Sequence, residues 1–358
     1  MESLERLPNI TRLSERVLRI LGQNPGKFTL QGTNTYLIGK GKSRLLLDTG
    51  EGRPEYLDVF KAALENELPA DTVIDRVVCS HWHHDHVGGV KDIHTFLASR
   101  NIQMGNPPST TAAKALSGVD KHSALGPRIF KYPCPEHDDD DDEDTRFEPL
   151  KDMEEIKVDE STTLLTLHTP GHTSDHLSFF LKEEKILFTA DCVLGQGTAV
   201  FEDLSSYIRS LERQIRLTEE LAIDNFAIFP GHGPVIEDGV GKIREYIQHR
   251  LEREKQIMQV LLSKDPQASS PSSTSSPSAA AATAPGNVNN DPAVTSAKTA
   301  RQIVEVIYAA YPVTIHDAAE HQVLLHLQKL LRDGKVTRTT DENIRKVQWQ
   351  VTVPMSSL

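Results

Sequence analysis

Residues Ser80–Gly89 have the sequence SHWHHDHVGG and directly follow a run of apolar, strand-forming residues. Four side chains that can bind a metal lie here within six positions: His81, His83, Asp85 and His86. Imidazole nitrogens and carboxylate oxygens suit borderline metals such as Zn²⁺. His81 and His83 are alternate residues that can point the same way from an extended loop, whereas Asp85 and His86 turn towards a second position. The pattern therefore predicts a metal site at the end of a strand.

Three later segments bring the same chemistry to the ends of other apolar runs. They contain His172 in TPGHT, Asp191 in TADC and His232 in PGHGP. The small residues around each of them let the backbone approach a metal closely. Each segment alone is a weak signal, because Gly-His turns occur by chance. Taken together and in this order along the chain, they are a strong one.

Strand-like apolar runs and helix-like patterns occur in mixed order across residues 1–262, which predicts a layered α/β or α+β sandwich. Within this frame, the succession of HxHxDH, GH, a single Asp and a late GH resembles the metallo-β-lactamase superfamily. The resemblance covers nearly all of residues 8–262. It implies an α/β fold, the αββα metallo-β-lactamase sandwich, with its site along the edge where strand ends meet.

The resemblance also implies a set of metal ligands in which no position is substituted. The implied ligands are His81, His83 and His172 for one metal, Asp85, His86 and His232 for a second, and Asp191 as a bridge. Asp48, in the segment LDTG, matches an Asp that lies close to the metals in the family. The spare nitrogens of ligating imidazoles need hydrogen-bond acceptors, and Asp48 is the candidate acceptor.

Such a site implies a hydrolase that holds two Zn²⁺ per chain. Two metals about 3.5–4 Å apart can share one water and lower its pKa towards about 7. The resulting metal-bound hydroxide attacks a carbonyl or phosphoryl centre, and Asp85 is the candidate catalytic residue that orients it. A binding module that has lost its chemistry is disfavoured because the ligand set is intact.

Composition divides the chain into three parts. Residues 1–262 are predicted to form the hydrolase domain. Residues 263–297 are rich in Ser, Ala, Pro and Thr and are predicted to be a disordered linker. Residues 298–358 contain two helix-like patterns followed by a small hairpin, which predicts a winged-helix-like module.

Charge and cysteine content limit the classes of partner. The net charge is −12, which argues mildly against a surface that binds nucleic acid over its whole area. Eight acidic residues lie within 136–144 and are predicted to form a solvated loop. The three cysteines, Cys79, Cys134 and Cys192, include no CxxC pair and favour a reducing compartment.

Location and membrane association are constrained by what the sequence lacks. No apolar run approaches the roughly 20 residues that a membrane helix needs, so no membrane partner is expected. The N-terminus has no apolar core of a secretory signal, and its acidic residues are unlike a mitochondrial presequence. We therefore expect a cytoplasmic protein, with a mitochondrial location left open.

Three further segments resemble one branch of the superfamily: Asn24–Tyr36, Gly197–Leu204 and Tyr246–Arg250. The branch contains fungal lactamase-type thioesterases, which release polyketides from a carrier protein, and mitochondrial lactamase-like endoribonucleases. The C-terminal module also resembles the winged-helix tail of this branch. The resemblance thus implies one of two substrates for the same metal site.

The thioesterase interpretation is favoured slightly, by the fungal character of the N-terminal segments and by the acidic balance. Its partner would be an acyl-carrier protein or a small thioester. The endoribonuclease interpretation, with single-stranded RNA as substrate, is favoured by the winged-helix module, although that module carries a net charge of only 8 − 6 = +2 from Lys298 onward. A non-enzymatic scaffold is a third, weaker alternative. Tyr308 and Tyr311 fit either a core or the surface of a homodimer.

Overall fold

The computed structural model describes residues 4–103, 126–138, 146–263 and 297–352 of the 358-residue chain. The chain divides into two compact units, Met1–Ile247 and Gln248–Leu358. The predicted linker spans residues 263–297 and, apart from its two end residues, lies outside the described residues. The same holds for the predicted acidic loop after Asp138.

The first unit contains a sheet of seven strands in sequential order. The first four strands are antiparallel neighbours and the last four are parallel neighbours. The strands are β1 (Ile10–Arg12), β2 (Val17–Leu21), β3 (Asn34–Ile38), β4 (Ser43–Leu47), β5 (Val73–Val78), β6 (Arg128–Lys131) and β7 (Glu148–Pro149).

A second sheet of five strands has the order β12-β11-β10-β9-β8. Its neighbours are antiparallel except for the parallel pair β11 and β12. The strands are β8 (Glu155–Asp159), β9 (Thr162–His168), β10 (Leu177–Leu181), β11 (Ile186–Ala190) and β12 (Ala227–Pro230).

Alternation along the strands places the two sheets face to face. Tyr36 and Ile38 of β3 share one apolar cluster with Phe179 of the second sheet, whereas Leu37 between them joins another cluster with Phe60. Because successive side chains of a strand point to opposite faces, β3 is buried on both sides. One face of the first sheet therefore packs on the second sheet and the other on helices.

Helices cover the outer faces of both sheets. Phe60 and Leu97 lie in the cluster on the outer face of the first sheet. On the second sheet, Gln214 donates to the Ser178 hydroxyl at 2.9 Å. The α-helices of this unit among the described residues are α1 (Pro54–Asn66), α2 (His84–Val87), α3 (Val90–Gln103), α4 (Leu204–Glu220) and the first part of α5 (Gly239–Leu262). The layers are helix, sheet, sheet and helix, which confirms the predicted αββα sandwich.

The second unit has its own core around Trp349 and Leu327. Two helices pack with a three-stranded sheet of order β13-β15-β14, as predicted for a winged-helix module. Its strands and α-helices among the described residues are β13 (Lys298–Thr299), α6 (Ala300–Ile307), α7 (His316–Arg332), β14 (Val336–Arg338) and β15 (Gln348–Val351).

The division between the units lies within α5, ahead of the predicted boundary at Leu262. Ile257, Val260 and Leu261 of this helix are buried in the core of the second unit. The helical pattern in the sequence continues to Leu262. It therefore indicates where the helix ends but not where the first unit ends and the second begins.

No helix among the described residues is both long enough and apolar enough to span a membrane.

Candidate metal centre

The predicted ligands lie where several strands end at one edge of the sandwich. The loop after β5 carries His81, His83, Asp85 and His86, with Asp85 and His86 in the short helix α2. Three other turns follow β9, β11 and β12. They contribute His172, Asp191 and His232. Residues that are far apart in the sequence thus meet because their strands end at the same edge of the two packed sheets.

A first group consists of His81, His83, His172 and Asp191, whose candidate ligand atoms all lie within 4.8 Å of one another. The Nε2 of His172 is 3.2 Å from the Nε2 of His81 and 3.0 Å from the Nδ1 of His83. The His81 Nε2 and the His83 Nδ1 are also 3.0 Å apart. Three imidazole nitrogens therefore converge on one small volume.

A second group consists of Asp85, His86 and His232. The Oδ2 atom of Asp85 lies 3.3 Å from the Nε2 of His86 and 3.2 Å from the Nε2 of His232. His86 and His232 are almost fully buried, and the side chain of Asp85 is 21% exposed. The Asp85 carboxylate is thus the more open side of this group.

Asp191 reaches both groups. Its Oδ1 atom is 3.2 Å from the Nε2 of His232 and 3.4 Å from the Nε2 of His86, while its Oδ2 atom is 3.6 Å from the Nε2 of His172. Ala190 before it has φ 41°, a left-handed value that is costly for a residue with a side chain. The fold holds this strained turn so that the carboxylate lies between the two groups.

Asp48 lies directly behind the second group. Its Oδ2 atom is 2.8 Å from the Nδ1 of His86, and it accepts hydrogen bonds from the backbone N–H and the hydroxyl of Ser80 at 2.7 and 2.9 Å. Because the carboxylate faces Nδ1, the Nε2 of His86 is left for the site. The backbone carbonyl of Val200 has the same effect on His172, whose Nδ1 is 2.9 Å away.

Burial and charge shift the pKa values of these side chains in opposite directions. Burial, helped by neighbouring imidazoles, lowers the pKa of His81 well below its ordinary value and that of His83 to about 4. Burial alone would also lower the pKa of His86 and His232, but the surrounding carboxylates outweigh it. They raise the pKa of His86 well above its usual range and that of His232 to about 9. His81 and His83 therefore offer neutral imidazoles, which are ready to bind a metal.

The donor set and its unmet hydrogen bonds fit metal ions. Among the described residues, the buried Nε2 of His86 and the buried Oδ1 of Asp191 have no hydrogen-bond partner. A buried polar atom without a partner is costly, and a cation in contact with both atoms removes that cost. Imidazole and carboxylate ligands in this number suit Zn²⁺.

Two contacts at the site were not predicted from the sequence. The hydroxyl of Ser80 is 3.0 Å from the Nδ1 of His81, and the hydroxyl of Thr33 is 3.0 Å from the Oδ2 of Asp85. Ser80 precedes the histidine motif directly, so its position was a usable signal. Thr33 is 52 residues away from Asp85, and no local pattern connects them.

A buried lysine with two carboxylate partners borders the first group. The ammonium of Lys131, whose side chain is 1% exposed, lies 2.8 Å from Asp175 and 2.7 Å from Asp138. Asp175 also accepts a hydrogen bond from Thr173, the residue after His172. Asp138, near the beginning of the acidic stretch, is therefore paired with Lys131, and this lysine is neutralised by carboxylates.

Comparisons with known proteins agree with this geometry. The family described as the metallo-beta-lactamase superfamily matches residues 28–232, and the beta-lactamase associated winged helix domain matches residues 299–349. The "Beta-lactamase-like protein 2 homolog" of Drosophila melanogaster is 37% identical over 94% of this chain and 95% of its own length.

A fungal relative is named as a thioesterase. The "Atrochrysone carboxyl ACP thioesterase nsrC" of Aspergillus novofumigatus is 38% identical over 72% of this chain and 66% of its own length. Among solved structures, a beta-lactamase domain protein from Burkholderia ambifaria has a TM-score of 0.64 at 15% identity, and the match covers 97% of this chain and 96% of that one. The latter likeness concerns the fold alone.

Proposed function

The chain belongs to the metallo-β-lactamase superfamily and is a metal-dependent hydrolase, and we propose that it hydrolyses an acyl thioester. The substrate class is a carrier-protein-bound acyl chain, such as a polyketide in a fungal biosynthetic pathway, or a small thioester. The products are a carboxylic acid and a free thiol.

In this proposal the two groups hold two Zn²⁺ ions per chain. The ligands are His81, His83 and His172 for the first ion, Asp85, His86 and His232 for the second, and Asp191 for both. When bound, the ions supply Lewis-acid chemistry that polarises a carbonyl and lowers the pKa of water towards neutrality.

The chain's own residues prepare the attack. The Oδ2 atom of Asp85 faces the histidines of the second group, and Oδ1 is the oxygen left to accept a hydrogen bond from the attacking water. That hydrogen bond directs a lone pair of the water towards the substrate carbonyl. Asp48 and the Val200 carbonyl keep His86 and His172 in fixed orientations while charge develops.

The observation that carries the substrate class is the presence of exposed apolar side chains in two segments that contact the candidate ligands. Val200, whose carbonyl contacts His172, is 47% exposed. Phe28, in the loop whose base contacts Asp85 through Thr33, is 69% exposed. Lys131 is buried and paired with two carboxylates, so it offers no free cation for a phosphate. Exposed apolar side chains favour an acyl chain, and a phosphodiester needs cations instead. The fungal relative named as an ACP thioesterase supports the same class.

An endoribonuclease that cuts single-stranded RNA is the second candidate. The winged-helix unit favours it, because such folds often bind nucleic acid. The charge of +2 from Lys298 onward is a poor match to a polyanion.

A parallel assay of zinc-loaded protein tests the proposal. We expect turnover of an acyl thioester, with modest dependence on salt, and little or no cleavage of single-stranded RNA. Asp85→Asn should reduce thioester turnover about 100-fold, because the water loses its orienting acceptor. Asp58→Asn, the same change at an exposed residue of α1, should leave turnover unchanged. RNA cleavage that is lost in Asp85→Asn, without thioester turnover in the wild type, would contradict the proposal in favour of the endoribonuclease.

A further inference from the structure

The loop between β2 and β3 is anchored against the second group of ligands. Its two anchoring side chains, Asn24 and Thr33, are 2% and 0% exposed. Both lie in the segment Asn24–Tyr36, which the sequence marks as characteristic of one branch but to which the proposed chemistry gives no role.

Asn24 fixes the direction in which the hydroxyl of Thr33 donates. The backbone N–H of Thr33 donates to the Oδ1 of Asn24 at 2.9 Å. A backbone N–H can only donate, so the other side-chain atom of Asn24 is the amide nitrogen. This Nδ2 donates to the Oγ1 of Thr33 at 3.0 Å. The hydroxyl therefore accepts from Asn24, and its own proton is directed elsewhere.

The acceptor of that proton is the Oδ2 of Asp85, 3.0 Å away. This is the same oxygen that lies within 3.3 Å of the Nε2 atoms of His86 and His232. No hydrogen bond from the described part of the chain reaches the other oxygen, Oδ1. The contact with Thr33 thus distinguishes two oxygens that are chemically equivalent in a free carboxylate.

Asn34, the first residue of β3, contacts the turn that carries His232 of the second group. The side-chain nitrogen of Asn34 donates to the carbonyls of Pro230 and Gly233, each at 2.9 Å, on both sides of His232. One short segment of chain therefore contacts both Asp85 and the turn that carries His232.

We propose that Thr33, oriented by Asn24, is a positioning residue that sets the rotation of the Asp85 carboxylate. It keeps Oδ2 towards the second metal and leaves Oδ1 for the attacking water. This inference rests on the proposed metal-dependent hydrolysis, and it adds a determinant that lies outside the ligand motifs.

The central test compares Thr33→Val with Thr33→Ser. Valine keeps the branched shape and suits a strand but lacks the hydroxyl, whereas serine restores it. We expect Thr33→Val to weaken binding of the second equivalent of Co²⁺ about 10- to 100-fold and to alter its visible absorption bands. We also expect a similar fall in kcat of the zinc enzyme with little change in KM. Thr33→Ser should restore both the spectrum and kcat.

Thr35→Val is the matched control. Like Thr33, Thr35 is buried; it lies within β3, and its hydroxyl contacts the Ile20 carbonyl and Tyr56, away from both groups of candidate ligands. It should lower stability without changing the cobalt spectrum.

Asn24→Asp is the second probe at the site. At pH 8 the carboxylate of the new side chain accepts the proton of the Thr33 hydroxyl, so this variant should reproduce the effect of Thr33→Val with Thr33 intact.

A cobalt spectrum and second-site affinity in Thr33→Val equal to those of the wild type would overturn the inference. Failure of Thr33→Ser to restore them, or an equal effect of Thr35→Val, would also overturn it. Absence of thioester turnover in the wild type would instead defeat the proposed substrate, and the cobalt measurements would still decide the role of Thr33.

Discussion

At the scale of single residues, the space around Asp191 is tightly constrained. A Cβ atom added to Gly231 would lie 2.4 Å from the Oδ1 of Asp191 and 2.9 Å from the carbonyl carbon of Ala190. Real Cβ atoms do not approach so closely, and the backbone of Ala190 is already strained at φ 41°. Position 231, directly before His232, therefore requires a glycine, because a larger residue would collide with the carboxylate of Asp191 and with the backbone of Ala190.

We predict that Gly231→Ala will displace Asp191 and weaken both metal positions. Metal content measured by mass spectrometry after dialysis should fall below that of the wild type at both sites. Gly197→Ala is the control: an added Cβ there has nothing within 4 Å, although its φ is +78°. It should lower stability by about 1 kcal/mol and keep the metals. Full metal content in Gly231→Ala would show that Asp191 does not join the two groups.

The candidate metal ligands could be identified from the sequence because their signal is local and dense. His81, His83, Asp85 and His86 fall within six positions, and each of the other candidates follows a strand. Thr33 was not predictable in this role, because a threonine directly before a strand is common and its partner is 52 residues away. The contact exists only once β3 and β5 lie in the same sheet.

At the scale of elements, alternation of apolar residues predicted the strands because each buried face needs them at every second position. Tyr36 and Ile38 on one face and Leu37 on the other show why β3 has no polar face. The polar residues inside the second unit are a different case. His326 in α7 is buried although its side chain is polar, and the spacing of apolar residues in the sequence does not predict this burial.

Because His326 is buried, we expect the stability of the winged-helix unit to depend on pH. Burial, followed by the nearby Arg250 and Arg253, lowers its pKa to about 3, compared with about 6.5 in an unfolded chain. Below pH 6.5 the unfolded chain therefore binds a proton that the folded unit does not. Stability should fall as the pH decreases from 6.5 towards 4.5, by up to about 1.4 kcal/mol per pH unit.

Urea unfolding of a Trp82→Phe variant measures this slope. The chain has two tryptophans, so the fluorescence of this variant comes from Trp349, which is buried in the winged-helix unit. His326→Gln should flatten the slope, and His321→Gln, on the exposed side of the same helix, controls for the change of residue type. An unchanged slope in His326→Gln would refute the assignment.

At the scale of the whole molecule, α5 belongs to both units. Val240, Ile243 and Tyr246 are buried in the first part of the helix, and Ile257 and Leu261 are buried in the core of the second unit. Composition placed the boundary at Leu262 because the change to Ser- and Pro-rich sequence comes there. The change of packing partner has no compositional signal, since the helix is amphipathic throughout.

Two truncations test where the first unit ends. A fragment of residues 1–262 would carry Ile257, Val260 and Leu261 without the core that covers them, so we expect it to bind a hydrophobic dye and to associate. A fragment of residues 1–247 should be monomeric, bind little dye and retain metal. Equal dye binding by the two fragments would place the boundary at Leu262 instead.

The most direct measurement of the central claim is a zinc titration of metal-free protein, with hydrolysis of an acyl thioester as the readout. We expect turnover to rise until about two equivalents of Zn²⁺ per chain are bound and then to remain constant, because both ligand groups are needed. His86→Ala should lose the second equivalent together with most of the activity. Full turnover at one equivalent, or RNA cleavage that rises with zinc while the thioester stays intact, would contradict the account.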